Sequence, residues 1–195
     1  MTTDYTGPLR DEPLAVELHN TLYASGGAHV DGLSDPAQAA AWRTRIGARL
    51  PLADYPPGDW PSGAELIELR SALRTALRAT LDGTPADPDA VATINRASAA
   101  APSSPMAKAE PSGALVRRTD HHGAGLATVV LAAFARDAIE LLTGPQATEL
   151  RACGAPGCIL LFVKDHPRRE WCSNACGNRA RQARHYQRVR NGETT

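Results

Sequence analysis

Cys153-Gly-Ala-Pro-Gly-Cys158 and Trp171-Cys172-Ser-Asn-Ala-Cys176-Gly-Asn-Arg179 hold all four cysteines of the chain, with thirteen residues between Cys158 and Cys172. Two close pairs of thiols, C-x4-C and C-x3-C, flanking a segment long enough to make a hairpin form the pattern of a structural zinc site. A tetrahedral Zn²⁺ takes four ligands, with Zn–S bonds of about 2.3 Å, and two tight turns supply them most simply. Gly154 and Gly157 permit the backbone angles of such a turn and Pro156 stiffens it. Ile159 to Val163 is a short β-branched and aromatic run, which reads as a strand. Asp165-His-Pro167 punctuates it, and Arg168 to Trp171 is expected to return as the second strand. Cys172 and Cys176 stand four apart, so a first helical turn points both thiolates the same way. Turn, hairpin, then a helix that opens with the last two ligands is the treble-clef arrangement.

The competing reading is a disulfide-bonded or simply buried set of thiols. No apolar leader precedes Asp4, so the expected compartment is the reducing cytosol, where paired thiols favour metal. Four cysteines also close the coordination shell, whereas a catalytic zinc keeps one position open for water. The expectation is a structural ion that does no chemistry.

The segment after Cys176, GNRARQARHYQRVR, carries the charge. At about 100° per residue, Arg181, Arg184 and Arg188 fall within a sector of about 60°, and His185 borders the stripe. Residues 151–190 hold nine Lys plus Arg against Asp165 and Glu170, a net of +7. Four thiolates and their ion subtract two, leaving about +5 for the folded module. Residues 1–150 carry twelve basic and eighteen acidic residues, so the zero overall charge hides two opposed halves. The basic half suits a phosphate backbone. The plain alternative is a solvated helix whose arginines complement its C-terminal dipole. Against it, five arginines in residues 179–190 are interleaved with no acid, where a merely solvated helix mixes signs.

Trp171 to Arg179, with the upstream pair Cys153/Cys158 and Phe162, resembles the CGNR zinc-finger family. Its bacterial members join an N-terminal ABATE domain to this finger and are described as candidate stress-induced transcription regulators. Leu14-Ala-Val-Glu-Leu-His-Asn-Thr21 is similar to the family's opening segment, and Leu69-Arg-Ser-Ala-Leu-Arg74 to its central Leu-Arg helix. The family usually carries an aspartate two residues after the hairpin phenylalanine. Here that position is Lys164, with Asp165 one later, so any brace the aspartate provides must be rearranged.

Upstream, residues 1–10 read as a disordered leader. Leu14 to Tyr23 mixes the helical and strand periods with helix preferred, and His19, Asn20 and Thr21 are expected to form a buried hydrogen-bonded network. Ala24 to Gly32 reads as a loop. Ser34-Asp-Pro36 starts a helix running to about Leu50, and Pro51 to Gly58 is a proline-broken connection. Leu66, Leu69, Leu73 and Leu77 mark the strongest helix, Ala64 to Leu81. Arg70, Arg74 and Arg78 beside them read as a solvated face. Asp82-Gly83 ends it, and Asp87-Pro-Asp89 caps another through Val91, Ile94 and Ala97. Residues 106–118 resemble a hairpin turning at Ser112-Gly113. Asp120, His121 and His122 draw attention as acid–base groups or ligands, but adjacent residues on a strand point apart. Leu126 to Leu142 is the expected central core helix, and Gln146 to Arg151 one helical turn leading into the finger.

The apolar fraction, 43%, suffices for a modest core. No run approaches the ~20 apolar residues of a membrane span. The expected fold is α+β: a mainly helical ABATE-like domain with one β-hairpin over residues 1–150, then a treble-clef-like zinc finger over 151–191. With no phosphate loop, no nucleophile beside a base and no useful carboxylate pair, a non-enzyme is expected. The leading expectation is a cytoplasmic, zinc-dependent, DNA-binding transcription regulator. Cys153, Cys158, Cys172 and Cys176 would hold Zn²⁺, and Arg179, Arg181, Arg184, His185 and Arg188 would meet nucleic acid. The N-terminal domain could supply a homodimer contact. The alternative is a protein-interaction module with a purely structural zinc site; RNA binding is a third reading, against which Tyr186 stands as the one aromatic on the helix.

Overall fold

The computed structural model describes residues 4–8, 11–50, 52, 55 and 58–191. In chain order the elements are α1 (Leu14–His19), β1 (Leu22–Ser25), β2 (Ala28–Asp31), α2 (Pro36–Gly47), α3 (Gly63–Asp82), α4 (Pro88–Ala99), β3 (Ser104–Ala109), β4 (Leu115–Asp120), α5 (Leu126–Thr143), β5 (Leu150–Ala152), β6 (Leu161–Val163) and α6 (Asn174–Arg190). The fold is α+β, with three two-stranded antiparallel sheets among the described residues, each a consecutive pair. No helix among the described residues is long and apolar enough to cross a membrane.

Local chemistry sets the helix ends. The Asp35 carboxylate accepts from Ala37 N and Gln38 N ahead of α2, whose first residue is Pro36, pairing a side-chain cap with a residue whose missing N–H costs nothing there. Ser62 and Glu65 form a reciprocal capping box on α3. Gly83 closes that helix with φ +63°, a left-handed position where a Cβ is strained. The apolar stripe Leu66, Leu69, Leu73 and Leu77 is buried, and so are Val130, Phe134, Ala138 and Leu141 of α5. Helix α5 packs on α1, α3 and α4, and Trp42 of α2 stacks on Phe134 with ring centroids 5.8 Å apart.

The longer expected helices stand. Helix α1, however, stops at His19 with Leu22 and Tyr23 already in β1, and the turn expected over Gln146–Arg151 is a 3₁₀ turn, Pro145–Glu149, that runs into β5. Three further expectations upstream are overturned. Tyr5 is buried in the main core and Thr6 N donates to Gln38 Oε1 at 2.9 Å, so residues 4–8 are no disordered leader. Residues 1–3 and 9–10 lie outside the described set, as does most of the Pro51–Gly58 connection. The N-terminal domain has two hairpins, not one. The expected loop is the β1–β2 hairpin, whose turn residues Gly26 and Gly27 have φ +58° and +83°, the pair of left-handed positions that a tight hairpin turn demands. The arginine stripe on α3 is split. Arg78 is exposed and pairs with Asp82 at 2.9 Å, as a solvated face would have it. Arg70 is instead buried, donating to Asp31 Oδ1 and Oδ2, each at 2.6 Å, and to Thr21 Oγ1 at 2.9 Å. These bonds hold the Asp31 carboxyl below the usual carboxylate range.

The finger's hairpin is also not the expected one. Strand β6 pairs with β5, which precedes Cys153, and residues 168–171 contain no strand. The zinc knuckle itself is therefore the hairpin turn. Leu160, Phe162 and Lys164 face β5 through their backbone groups, as in Cys153 N to Leu160 O at 2.9 Å and Lys164 N to Glu149 O at 2.8 Å. The alternate peptide groups of β6 would form a bare edge, which side chains of the N-terminal domain cover instead. Asn20 Nδ2 donates to Leu161 O and Asn20 Oδ1 accepts from Leu161 N, both at 3.0 Å. Val163 N donates to Glu12 Oε2 at 2.8 Å, and Arg169, ion-paired to Glu12, donates to Val163 O at 3.0 Å. The amide of Asn20 thus mimics a neighbouring strand.

Candidate metal centre and basic helix

The knuckle Cys153–Cys158 turns at Gly157, φ +71°, with Cys158 N donating to Ala155 O at 3.0 Å. Cys172 lies just ahead of α6, and Cys176 sits in its first turn, where Ser173 Oγ caps by accepting from Cys176 N at 3.3 Å. Cys172 is thus outside the helix, where both cysteines were expected on the first turn. The four Sγ atoms nevertheless converge, all within 4.8 Å of one another. The Sγ–Sγ distances are 3.5 Å for Cys172–Cys176, 3.8 Å for Cys176–Cys158 and 3.9 Å for Cys158–Cys172. A regular tetrahedron with Zn–S bonds of about 2.3 Å has edges of about 3.8 Å, so the donor set fits Zn²⁺.

The electrostatics of the cluster also call for a cation. Hydrogen bonds from neighbouring thiols push Cys153 far below the ordinary thiol range, while sharing protons with Cys153 drives Cys158 and Cys172 up. Four thiolates this close cannot coexist without a positive charge among them. Outer support is in place: Cys172 N donates to Cys153 Sγ at 3.5 Å and Arg179 Nη2 to Cys176 Sγ at 3.2 Å. Donors onto thiolate sulfur orient and stabilise the ligands. Arg179, expected at nucleic acid, therefore turns back to the metal centre.

Asp165 and Arg169 brace the hairpin tip. Arg169 lies over the Phe162 ring at 4.7 Å and joins Asp165 at 3.3 Å to Glu12. The brace runs through an arginine to the other domain, with Asp165 as its local partner.

Helix α6 projects beyond the cysteines. Ala180 is buried against them, while Arg181, Arg184, His185, Arg188 and Arg190 are exposed. Among the described residues no arginine of α6 pairs with a carboxylate. Arg181 and Arg184 share one platform, lying 5.7 and 5.6 Å from the Trp171 ring, close enough for cation–π attraction. Gly177 makes room for that ring, since a Cβ there would meet Trp171 Cε3 at 3.1 Å. Arg188 and His185 continue the stripe past the platform. Trp171 as an arginine platform was not foreseen, because guanidiniums ten and thirteen residues downstream reach it only once α6 runs back past the ring.

The His19–Asn20–Thr21 network stands as expected, with His19 Nδ1 to Asn20 Oδ1 at 3.1 Å and Thr21 Oγ1 donating to Leu18 O at 2.7 Å. Asp120, His121 and His122 do not converge as a trio: His121 is buried against Tyr55, whereas the exposed His122 ring lies 3.7 Å from Asp120 Oδ2 through Nδ1 and 3.0 Å from Ser104 Oγ through Nε2. Among the described residues the four cysteines form the one metal-binding group.

A small α+β domain with a four-cysteine treble clef fixed to its edge defines a zinc-finger protein. The family model described as "Putative stress-induced transcription regulator" (ABATE) matches residues 12–145, and that of the CGNR zinc finger matches residues 149–189. The chain belongs to the ABATE family and ends in a CGNR zinc finger. A search of curated proteins returned no match.

Proposed function

We propose that this protein is a zinc-dependent, DNA-binding transcription regulator whose α6 lies against the duplex. The observation that carries the reading is the exposed row Arg181, Arg184 and Arg188, free of any carboxylate partner among the described residues and joined by His185. The Trp171 ring lies beside the first two guanidiniums, a contact that lowers the entropy lost when they meet phosphates. Arg188 lies beyond the platform and is free to follow the groove. The metal aims the helix and leaves catalysis no open position.

A salt titration of zinc-loaded full-length chain with mixed-sequence duplex tests this. Three or four neutralised phosphates give a slope of log affinity against log salt of about −3 to −4. The double substitution Arg184→Ala, Arg188→Ala flattens it by about 2. Absence of duplex binding at low salt defeats the proposal and favours a second reading, docking of an acidic protein partner. Tyr186 and Val189, exposed at 72% and 51% on the same helix, are the observation behind that second reading.

A further inference from the structure

A cleft of about 660 Å³ lies between α3 with the start of α4 on one side and the zinc knuckle on the other. Its size falls in the range of small-molecule sites, about 300–1,000 Å³. Its charges are unequally satisfied. Arg78 is matched by Asp82 at 2.9 Å, and Asp87 is engaged as the cap of α4, accepting from Asp89 N at 2.9 Å. Arg74 is half-buried and has a single partner among the described residues, the His19 ring, with Nη1 to Nε2 at 3.4 Å.

That partner brings no charge. His19 is buried and its Nδ1 faces Asn20 Oδ1, an oxygen that already accepts from Leu161 N. Nδ1 therefore carries the hydrogen and Nε2 offers Arg74 a neutral lone pair. Burial holds the imidazole unprotonated, and Arg74 beside it adds to the effect. Among the described residues the remaining N–H groups of Arg74 meet no acceptor. One turn earlier on the same helix, Arg70 is buried with both oxygens of Asp31 against it. A half-buried guanidinium at a cleft wall is a ready anchor for an anion, and among the described residues no carboxylate pairs with Arg74.

We propose that this cleft binds a small organic acid carrying a single negative charge, with its carboxylate on Arg74 and its apolar body against Ile159, Leu161 and Ala79. Arg74 and Arg78 face Asp82 and Asp87 across the cleft, a net charge of zero before a ligand enters, so one carboxylate on Arg74 is tolerated while the two aspartates oppose a doubly charged phosphate. The ligand would touch both domains at once. It would also abut the chain of contacts from Arg74 through His19 and Asn20 to Leu161, so occupancy strengthens the seat of the finger. The site does not depend on what α6 binds.

Calorimetric titration of zinc-loaded full-length protein with benzoate tests it, with benzyl alcohol and inorganic phosphate as comparison probes and no DNA present. Saturable benzoate binding is expected with a Kd of about 1 mM, with both comparison probes weaker. Arg74→Gln should weaken benzoate about tenfold or more. Thr75→Trp, placed on an exposed residue of the cleft wall, should block it without touching the charge, so a folding defect in the first variant does not remove the test. Failure of benzoate to saturate by about 10 mM, unchanged binding in both variants, or tighter binding of phosphate than of benzoate overturns the proposal.

Discussion

The two domains are held by different physics. In the N-terminal domain, Trp42, Ile46, Leu66, Leu73, Leu77, Val130 and Phe134 close into one large cluster, and burial of apolar surface is its driving force. The finger's own cluster consists of Cys153, Ala155, Leu160, Phe162, Cys172, Cys176 and Ala180. Three of those seven are metal ligands; Leu150, Leu161 and Val163 of β5 and β6 are buried in the large cluster instead, and the apolar groups left to the finger are too few to offset the entropy of ordering it. One half folds by what it hides from water. The other folds by what its sulfurs hold.

The largest break in that contrast should come from metal removal. A strong chelator should melt the finger and α6 while the N-terminal helices persist, because structural zinc contributes on the order of 10 kcal/mol and a helix under twenty residues is marginal alone. Far-UV circular dichroism should lose part of its helical signal; an unchanged spectrum would show that sulfur–metal bonds do not hold the finger. The converse cut is Phe134→Ala, which removes the ring stacked on Trp42 and should cost about 3–5 kcal/mol. Denaturant unfolding measures it, and the zinc content of the folded protein should stay at wild type.

His19 gives a pH handle on the junction. Burial brings its pKa down to about 4, below the ordinary 6.5 of the unfolded chain. Between those values the unfolded chain takes up a proton that the fold refuses. Its contribution is therefore complete above pH 6.5 and declines as pH falls toward 4, by up to about 3 kcal/mol. His19→Gln should flatten the stability profile over that window, and an identical slope in the variant would remove His19 as its source. Asn20→Ala strips both hydrogen bonds from Leu161 and should cost about 2 kcal/mol. Faster zinc release to a chelator would be its local signature, since the edge of β6 is then open. Equal release rates would mean that the clamp does not support the finger.

Sequence legibility followed the range of the interactions. The helix starts at Asp35 and Asp87 and the stop at Gly83 could be read directly, because a cap and its partners lie within a few residues. The leucine stripe of α3 and the ligand set of the finger were legible for the same reason. Even the missed β1–β2 hairpin carried its signal in Gly26-Gly27. The strand pairing of the finger was not legible. Leu150–Ala152 is too short to show a period, and β6 could as well have paired downstream with 168–171.

What the sequence by itself determined is the inventory: capped helices, four thiols at ligand spacing, and a run of arginines without acids. These follow from neighbours along the chain, whose geometry the backbone imposes. Tertiary structure decided which of those groups are spent. It buried Arg70 on Asp31, gave Arg74 no carboxylate among the described residues, turned Arg179 toward sulfur, and set Glu12 and Asn20 on an edge some 140 to 150 residues away. Identical side chains on one helix stripe acquire different roles because burial and distant partners, absent from any local pattern, determine which charges must be paired.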